Sequence, residues 1–524
     1  DVAVAKIGNQ NYKTLPEAVA AAADGAIVTV VKNISLDSRI VISKKVTVDL
    51  NGKTVTRDMS NVSADFTRNE GNLFTIQSAG DLTLKDSTGD GMLTAIAPAD
   101  NHYSTDTLVL NYGKFTLESG TIKVPEKVYY AVGCYGKDSV TTINGGVIDA
   151  QWGSVLDGGI ALGSNGSKSD TTYGFTLNIN GGEIKGGEQT LYLPGAGKTT
   201  ITGGKLTGSA RGIEIRAGEL TITGGEISAN VERKTDAAAN NGASGSYTGA
   251  LVAVKPASVS ASGYVGDIVL NISGGTFTNA SGDVLTVVHE TAKAQNAPAQ
   301  NVTVSVSDGQ FTGAFNVGNT VNTTANDKLS ITGGTYSSDP TAYVAEGYEA
   351  VENEGKWTVK PIFAGGSGTE ADPFLITSVE QWNAVNTASQ QNFAKHGNKY
   401  TAEPSIFFAL NTDLEITSGA KGKYGYYAIE SLRSAQIDGR GHTVTLGTNV
   451  SPVDNMYYSE FKDITFVLNG MPVVGYYCNY KNSFNGVTVK GSVTTDGNMG
   501  AYVIYAGLAD ISFENCITDV TMKG

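Results

Sequence analysis

Residues 220–228, LTITGGEIS, set two glycines between a β-rich triplet and a fresh apolar residue. Close copies recur as LNINGGEIK (177–185), TTITGGKLT (199–207), LNISGGTFT (270–278) and LSITGGTYS (329–337), with TTINGGVID (141–149) ahead of them. FTLESGTIK (115–123) and VSVSDGQFT (304–312) are weaker copies. Read as a strand, Leu220 and Ile222 point one way, and Thr221 and Thr223 the other. Gly224 and Gly225 let the backbone turn a corner that a Cβ would obstruct, and Ile227 opens the next inward position. Each copy is a strand, a corner and a second strand.

A further kind of short strand lies between the copies: IALG (160–163), LYLP (191–194), IEIR (213–216) and LVAV (251–254). The glycine pairs are spaced by roughly 21 to 36 residues, with one gap near 50 that reads as two coils. One turn then holds three strands, which is the coil of a right-handed parallel β-helix. No coil buries its apolar face alone, and stacking at about 4.8 Å completes both core and hydrogen bonds. The expected fold class is all-β: a solenoid of two tandem β-helical domains, each opened by a short capping helix.

The helices are read from TLPEAVAAAAD, where Thr14 and Glu17 make a capping box around Pro16, and from ITSVEQWNAVNTASQ, where Thr377 and Glu380 repeat it. In the second, Val379, Trp382 and Val385 recur at helical spacing. The Gly-rich connector PIFAGGSGTEADPF places the boundary at residues 360 and 361, giving domains 1–360 and 361–524. The chain stops at ENCITDVTMKG in mid-pattern, which reads as a second domain cut from something longer.

Composition narrows the partners. The chain has 524 residues and a formal charge of -14, with no basic block, which argues against nucleic acid or an anionic membrane surface. No apolar run approaches the ~18 residues of a spanning helix. Cys134, Cys478 and Cys516 are too few and scattered for a disulfide framework. The histidines have no partners at metal-ligand spacing, and the dispersed acidic residues do not indicate calcium, so no cofactor is expected.

The glycine-pair copies, the opening YKTLPEAVAAAADGAIVTVVKNI, the segment IDGRGHTV (437–444) and the junction GSGTEADPFLITSVEQWNAV together resemble the pectate-lyase-like superfamily of right-handed β-helices. Within it they resemble the repetitive surface proteins of gut bacteria. That resemblance covers nearly the whole chain and implies an extracellular protein, at the cell surface or secreted. It does not fix an activity, because the fold hosts lyases, hydrolases and adhesins alike. A polygalacturonase-like site would need a DD pair after the NTD at Asn411–Asp413, and none follows; His442 lacks the trailing glycine. The densest outward combination elsewhere is in RGIEIRAGE, where Glu214 and Arg216 share one face, with Tyr192 at the equivalent place one coil earlier. Such a pair is also an ordinary solvated surface feature.

The second domain holds 11 of the 24 tyrosines, as KYGYYAI (423–429), MYYSEF (456–461), GYYCNY (475–480) and AYVIYA (501–506). By strand alternation Tyr457-Tyr458 and Tyr476-Tyr477 each send one ring inward and one outward, and Tyr458 and Tyr477 are the candidates for an outward sugar-stacking row. The expectation is a monomeric, non-enzymatic, adhesin-like module that binds glycans or a surface protein. A divergent polysaccharide lyase or glycoside hydrolase using Glu214 and Arg216 beside Tyr192 is the alternative. A passive stalk is the second alternative.

Overall fold

In the computed structural model, the described residues are 3–60, 71–97, 107–152, 159–164, 166, 170–232, 247–255, 265–289, 301–318, 327–345, 347–401, 403–423, 425–494, 504–506 and 510–523. The glycine-pair repeats set its architecture. Ile143, Ile179, Ile201, Ile222, Ile272, Val306 and Ile331 occupy one register position in successive parallel strands, and all are buried. Beyond each corner a second column runs Ile148, Ile184, Leu206, Ile227, Phe277, Phe311 and Tyr336. Its last three rings stack at 4.7 and 5.0 Å. Each fully buried aliphatic side chain contributes about 1.5–3 kcal/mol. The chain is thus mostly strand in long parallel sheets, compatible with a β-helix or solenoid.

From Phe74–Ile76 to Arg211–Ile215, every strand pairs in parallel with the strand three places later. The corner explains why glycine is required twice. A Cβ on Gly224 would lie 2.5 Å from the Thr202 carbonyl oxygen of the preceding coil, and Gly225 sits at φ +94°, in the left-handed region. Across the outer face, Thr142, Asn178, Thr200, Thr221, Asn271, Ser305 and Ser330 form a neutral column. Like charges stacked one per coil would repel, so where charges do adjoin they alternate, as in Lys198–Glu219 at 3.3 Å and Lys123–Asp149 at 3.5 Å.

The long gap between glycine pairs corrects the reading of its spacing. Ile222 pairs directly with Ile272, and Glu226 with Thr276, so these 50 residues span one turn of the register rather than two. Spacing alone could not separate an inserted loop from an added coil, because both leave the strand pattern intact.

The chain divides into two compact units, Asp1–Tyr343 with Ala350–Val359, and Val344–Glu349 with Lys360–Gly524. In the first, the helix Leu15–Ala21 carries the expected capping box: Thr14 Oγ1 accepts from Glu17 N, and Glu17 accepts from Thr14 N. It buries Leu15, Ala18 and Val19. In the second unit, the helix Val379–Lys395 is 17 residues long, and its cap is shifted by one residue from Thr377 and Glu380. Ser378 is the N-cap and accepts from Gln381 N, while the Gln381 side chain returns to Thr377. This phase turns Trp382, Val385 and Ala388 into the core, which decides between two overlapping cap patterns. Three sheets of five or six strands make up the rest of the second unit. Their pairings are parallel except for the short Ala420–Lys421 strand.

Candidate functional site

In the first unit, most strands alternate buried and accessible residues. Ile160–Ser164, Gln189–Leu193 and Arg211–Ile215 instead are buried on both faces. Tyr192 pairs with Glu214 in register, as the repeat spacing implied. Their environment differs from the expectation: Glu214 is 1 %, Arg216 2 % and Tyr192 4 % exposed, so this is a buried group and not a solvated surface pair. Strand alternation gives which residues share a face of the sheet but says nothing of what packs over it.

These side chains belong to one ionic cluster. Arg216 Nε lies 2.5 Å from Glu214 Oε1, and its guanidinium sits 5.8 Å from the Tyr192 ring centroid. Arg211, fully buried, reaches Glu188 at 3.1 Å and Glu214 at 3.4 Å and donates to the Tyr247 carbonyl at 2.7 Å. Tyr129 donates its hydroxyl to Glu188 at 2.6 Å. Burial pushes the Glu188 carboxyl above its ordinary range despite the opposing Arg211. Burial also raises the Tyr129 phenol, with the Glu188 charge adding to it. Glu188, Arg211 and Tyr129 escaped the reading of the sequence. The available signal was a charged or amide residue opening this strand in neighbouring coils, since Gln189 and Arg211 are in register.

In the second unit the tyrosines assemble differently from the expected columns. Tyr457, Tyr458, Tyr476 and Tyr477 are all half-buried, so neither pair splits into an inward and an outward ring. The cause is local. Tyr457 ends its strand, and Tyr458 turns at φ +49°. Tyr476 and Tyr477 lie where the register with the preceding strand shifts, a bulge that breaks alternation.

The structure separates the two candidates. Tyr477 packs edge-on to Tyr476 at 4.1 Å, and Tyr476 accepts a hydrogen bond from Lys423 that lowers its pKa. Tyr458 instead joins Tyr400, Tyr457 and Tyr480. Its ring stacks on Tyr480 at 5.2 Å with 16° between planes, and on Tyr400 at 5.4 Å. Tyr400 in turn stacks on Tyr457 at 5.6 Å and packs against Phe393 at 4.6 Å. Tyr480 is 49 % exposed and also left-handed, at φ +63°. Tyr400 carried no signal, being in the aperiodic loop after the helix. The tyrosine group at 501–506 has its side chains outside the described residues.

Asp413 accepts the Thr443 amide at 2.9 Å and approaches His442 Nδ1 at 3.0 Å, which holds its carboxyl below the ordinary range. These contacts pin one strand to the next. Cys134 and Cys478 are buried, and burial pushes both thiols up to about 12; Cys516 is exposed. Among the described residues, no group of three or more His, Cys, Asp or Glu is placed to hold a metal ion, and no helix is long and apolar enough to cross a membrane. Comparison of the chain with protein-family models, curated proteins and solved structures finds no match.

Proposed function

We propose that this chain is a non-enzymatic, adhesin-like, carbohydrate-binding protein of the bacterial surface or exterior. Its framework is two tandem right-handed parallel β-helices of the pectate-lyase-like kind, and its sugar platform is the ring cluster of Tyr400, Tyr457, Tyr458 and Tyr480. The observation that carries the reading is the backbone under two of these rings. Arg433, Tyr457 and Asn479 share one register position, so Ser434, Tyr458 and Tyr480 follow it at the same turn of consecutive coils, all with positive φ. A bulky aromatic in that region costs on the order of 1 kcal/mol, where Gly or Asn would not. Tyrosine kept there twice, with partly exposed rings, supports a surface role over core filling.

The test replaces both residues by a side chain suited to left-handed backbone. Tyr458→Asn with Tyr480→Asn is expected to leave the melting temperature unchanged or raised, while glycan binding by calorimetry weakens about tenfold or more. A fall in melting temperature with unchanged binding would instead identify a structural stack.

A second reading, a divergent polysaccharide lyase or glycoside hydrolase, is favoured by the buried cluster in the first unit. Two carboxylates in unlike environments, Glu188 raised by burial and Glu214 flanked by two arginines, are what acid and base roles require. Under it, incubation with plant and host polysaccharides yields new oligosaccharides by mass spectrometry, and Glu214→Gln abolishes them. Absence of products across the panel removes this reading.

A further inference from the structure

Arg433 stands at the edge of the tyrosine cluster. Its guanidinium carbon lies 5.0 Å from the Phe393 ring centroid and 5.6 Å from that of Tyr457, and Nε donates to Ser431 Oγ at 2.9 Å. It pairs with no carboxylate among the described residues. In a chain with 51 acidic and 37 basic residues, a half-buried arginine without a counter-ion is a departure from the charge balance. The neighbouring cation Lys481 is already matched, to Glu403 at 2.8 Å. Arg433 is also the charged group that acts on the Tyr400 phenol, which burial raises and the guanidinium opposes.

Two features of this arrangement bear on what it would hold. A guanidinium fixed between ring faces keeps its planar fork oriented for two parallel bonds to a carboxylate or sulfate. The tyrosine platform beside it is compact, with centroids 5.2 to 6.2 Å apart, which matches one or two sugar rings and not a long polymer. We infer that the cluster takes a terminal acidic sugar, its ring on the tyrosines and its carboxylate or sulfate on Arg433. This rests on the carbohydrate reading of the same site and adds the chemical class of ligand.

The test titrates the full chain with lactose, 3′-sialyllactose and lactose 3′-sulfate by calorimetry. One or both acidic sugars are expected to bind about tenfold more tightly than lactose, and which of them does so identifies the anion. Arg433→Met, which keeps the apolar stem, is expected to reduce the acidic sugars to the affinity of lactose, and Arg433→Lys to recover part of the difference. Equal binding of all three sugars, abolished by Tyr458→Asn with Tyr480→Asn, would overturn this inference and leave the carbohydrate reading standing. A preference for acid that survives Arg433→Met would overturn it too. Acid binding lost with Arg433→Met but untouched by the tyrosine substitutions would overturn the platform itself, and no binding of any sugar would overturn both.

Discussion

Replacing Arg211 with methionine is expected to cost about 3–5 kcal/mol of folding stability. Arg211 is fully buried and is the cation shared by Glu188 and Glu214, so its loss leaves Glu188 with the Tyr129 hydroxyl and Glu214 with Arg216 alone. Urea unfolding of the variant measures the cost. Its pH dependence is diagnostic. Glu188 already has a folded pKa above its unfolded value, so its contribution is fully present below the unfolded pKa and is lost as pH rises through the folded one. Removing Arg211 raises that folded pKa further. The variant is therefore expected to recover towards the parent as pH falls below the usual glutamate range, and to be weakest at neutral pH and above. Adding Glu188→Gln should return part of the loss at pH 7. A cost that does not vary with pH would show that packing, and not the uncompensated carboxylate, dominates.

Asp86 gives the opposite sign. Its carboxylate accepts backbone N–H groups of Gly52 at 2.7 Å, Gly89 at 2.8 Å, Gly91 at 2.7 Å and, more weakly, Thr88 at 3.4 Å. Gly52 lies on the preceding coil, so one side chain fastens two turns of the chain. Burial opposes the charge, but the amide donors from Gly91, Gly52, Thr88 and Gly89 outweigh it and hold the pKa below the ordinary aspartate range. Stability from this group is present above the unfolded pKa and lost as pH falls through the folded one. Asp86→Ala is expected to destabilise by on the order of 3 kcal/mol at pH 7, since several donors lose a charged acceptor together. The difference from the parent should vanish in strong acid. A difference that persists there would mean the loop is held by something other than the carboxylate.

The strand columns of the fold were legible because one inward residue per coil repeats at a fixed place around a glycine pair. Ile201, Ile222 and Ile272 needed no information beyond alternation. The register of Tyr192 with Glu214 was legible for the same reason. Burial of that pair was not, because the side chains and carbonyl that meet the cluster from Tyr129, Glu188 and Tyr247 lie outside the periodic strands. The tyrosine site was half legible. Tyr458 was in view, but its partners Tyr400 and Tyr480 come from a loop and from a turn with positive φ, where the two-residue rule that sorts rings inward and outward no longer holds. The 50-residue gap before Ile272 was misread for a related reason: residue spacing does not count register turns, and Ile222 pairs directly with Ile272.

The one-residue-per-coil columns also bear on how such a chain changes length over generations. Leu177, Thr199 and Leu220 occupy one register position, as do Ile179, Ile201 and Ile222. Excising the segment between equivalent positions would set Leu177 against Leu220 and Ile179 against Ile222, like on like, but it would also bring Glu183 against Glu226 and remove the Arg211 that Glu188 is paired with. Duplicating it would likewise keep the inward columns, with Lys205 set against its own copy. A single inserted residue within a strand does not keep them, since it exchanges the two faces from that point onward. Unequal recombination at the repeats therefore keeps the inward register and is filtered by the charge pairing between neighbouring coils, whereas ordinary small insertions are confined to the connections between strands.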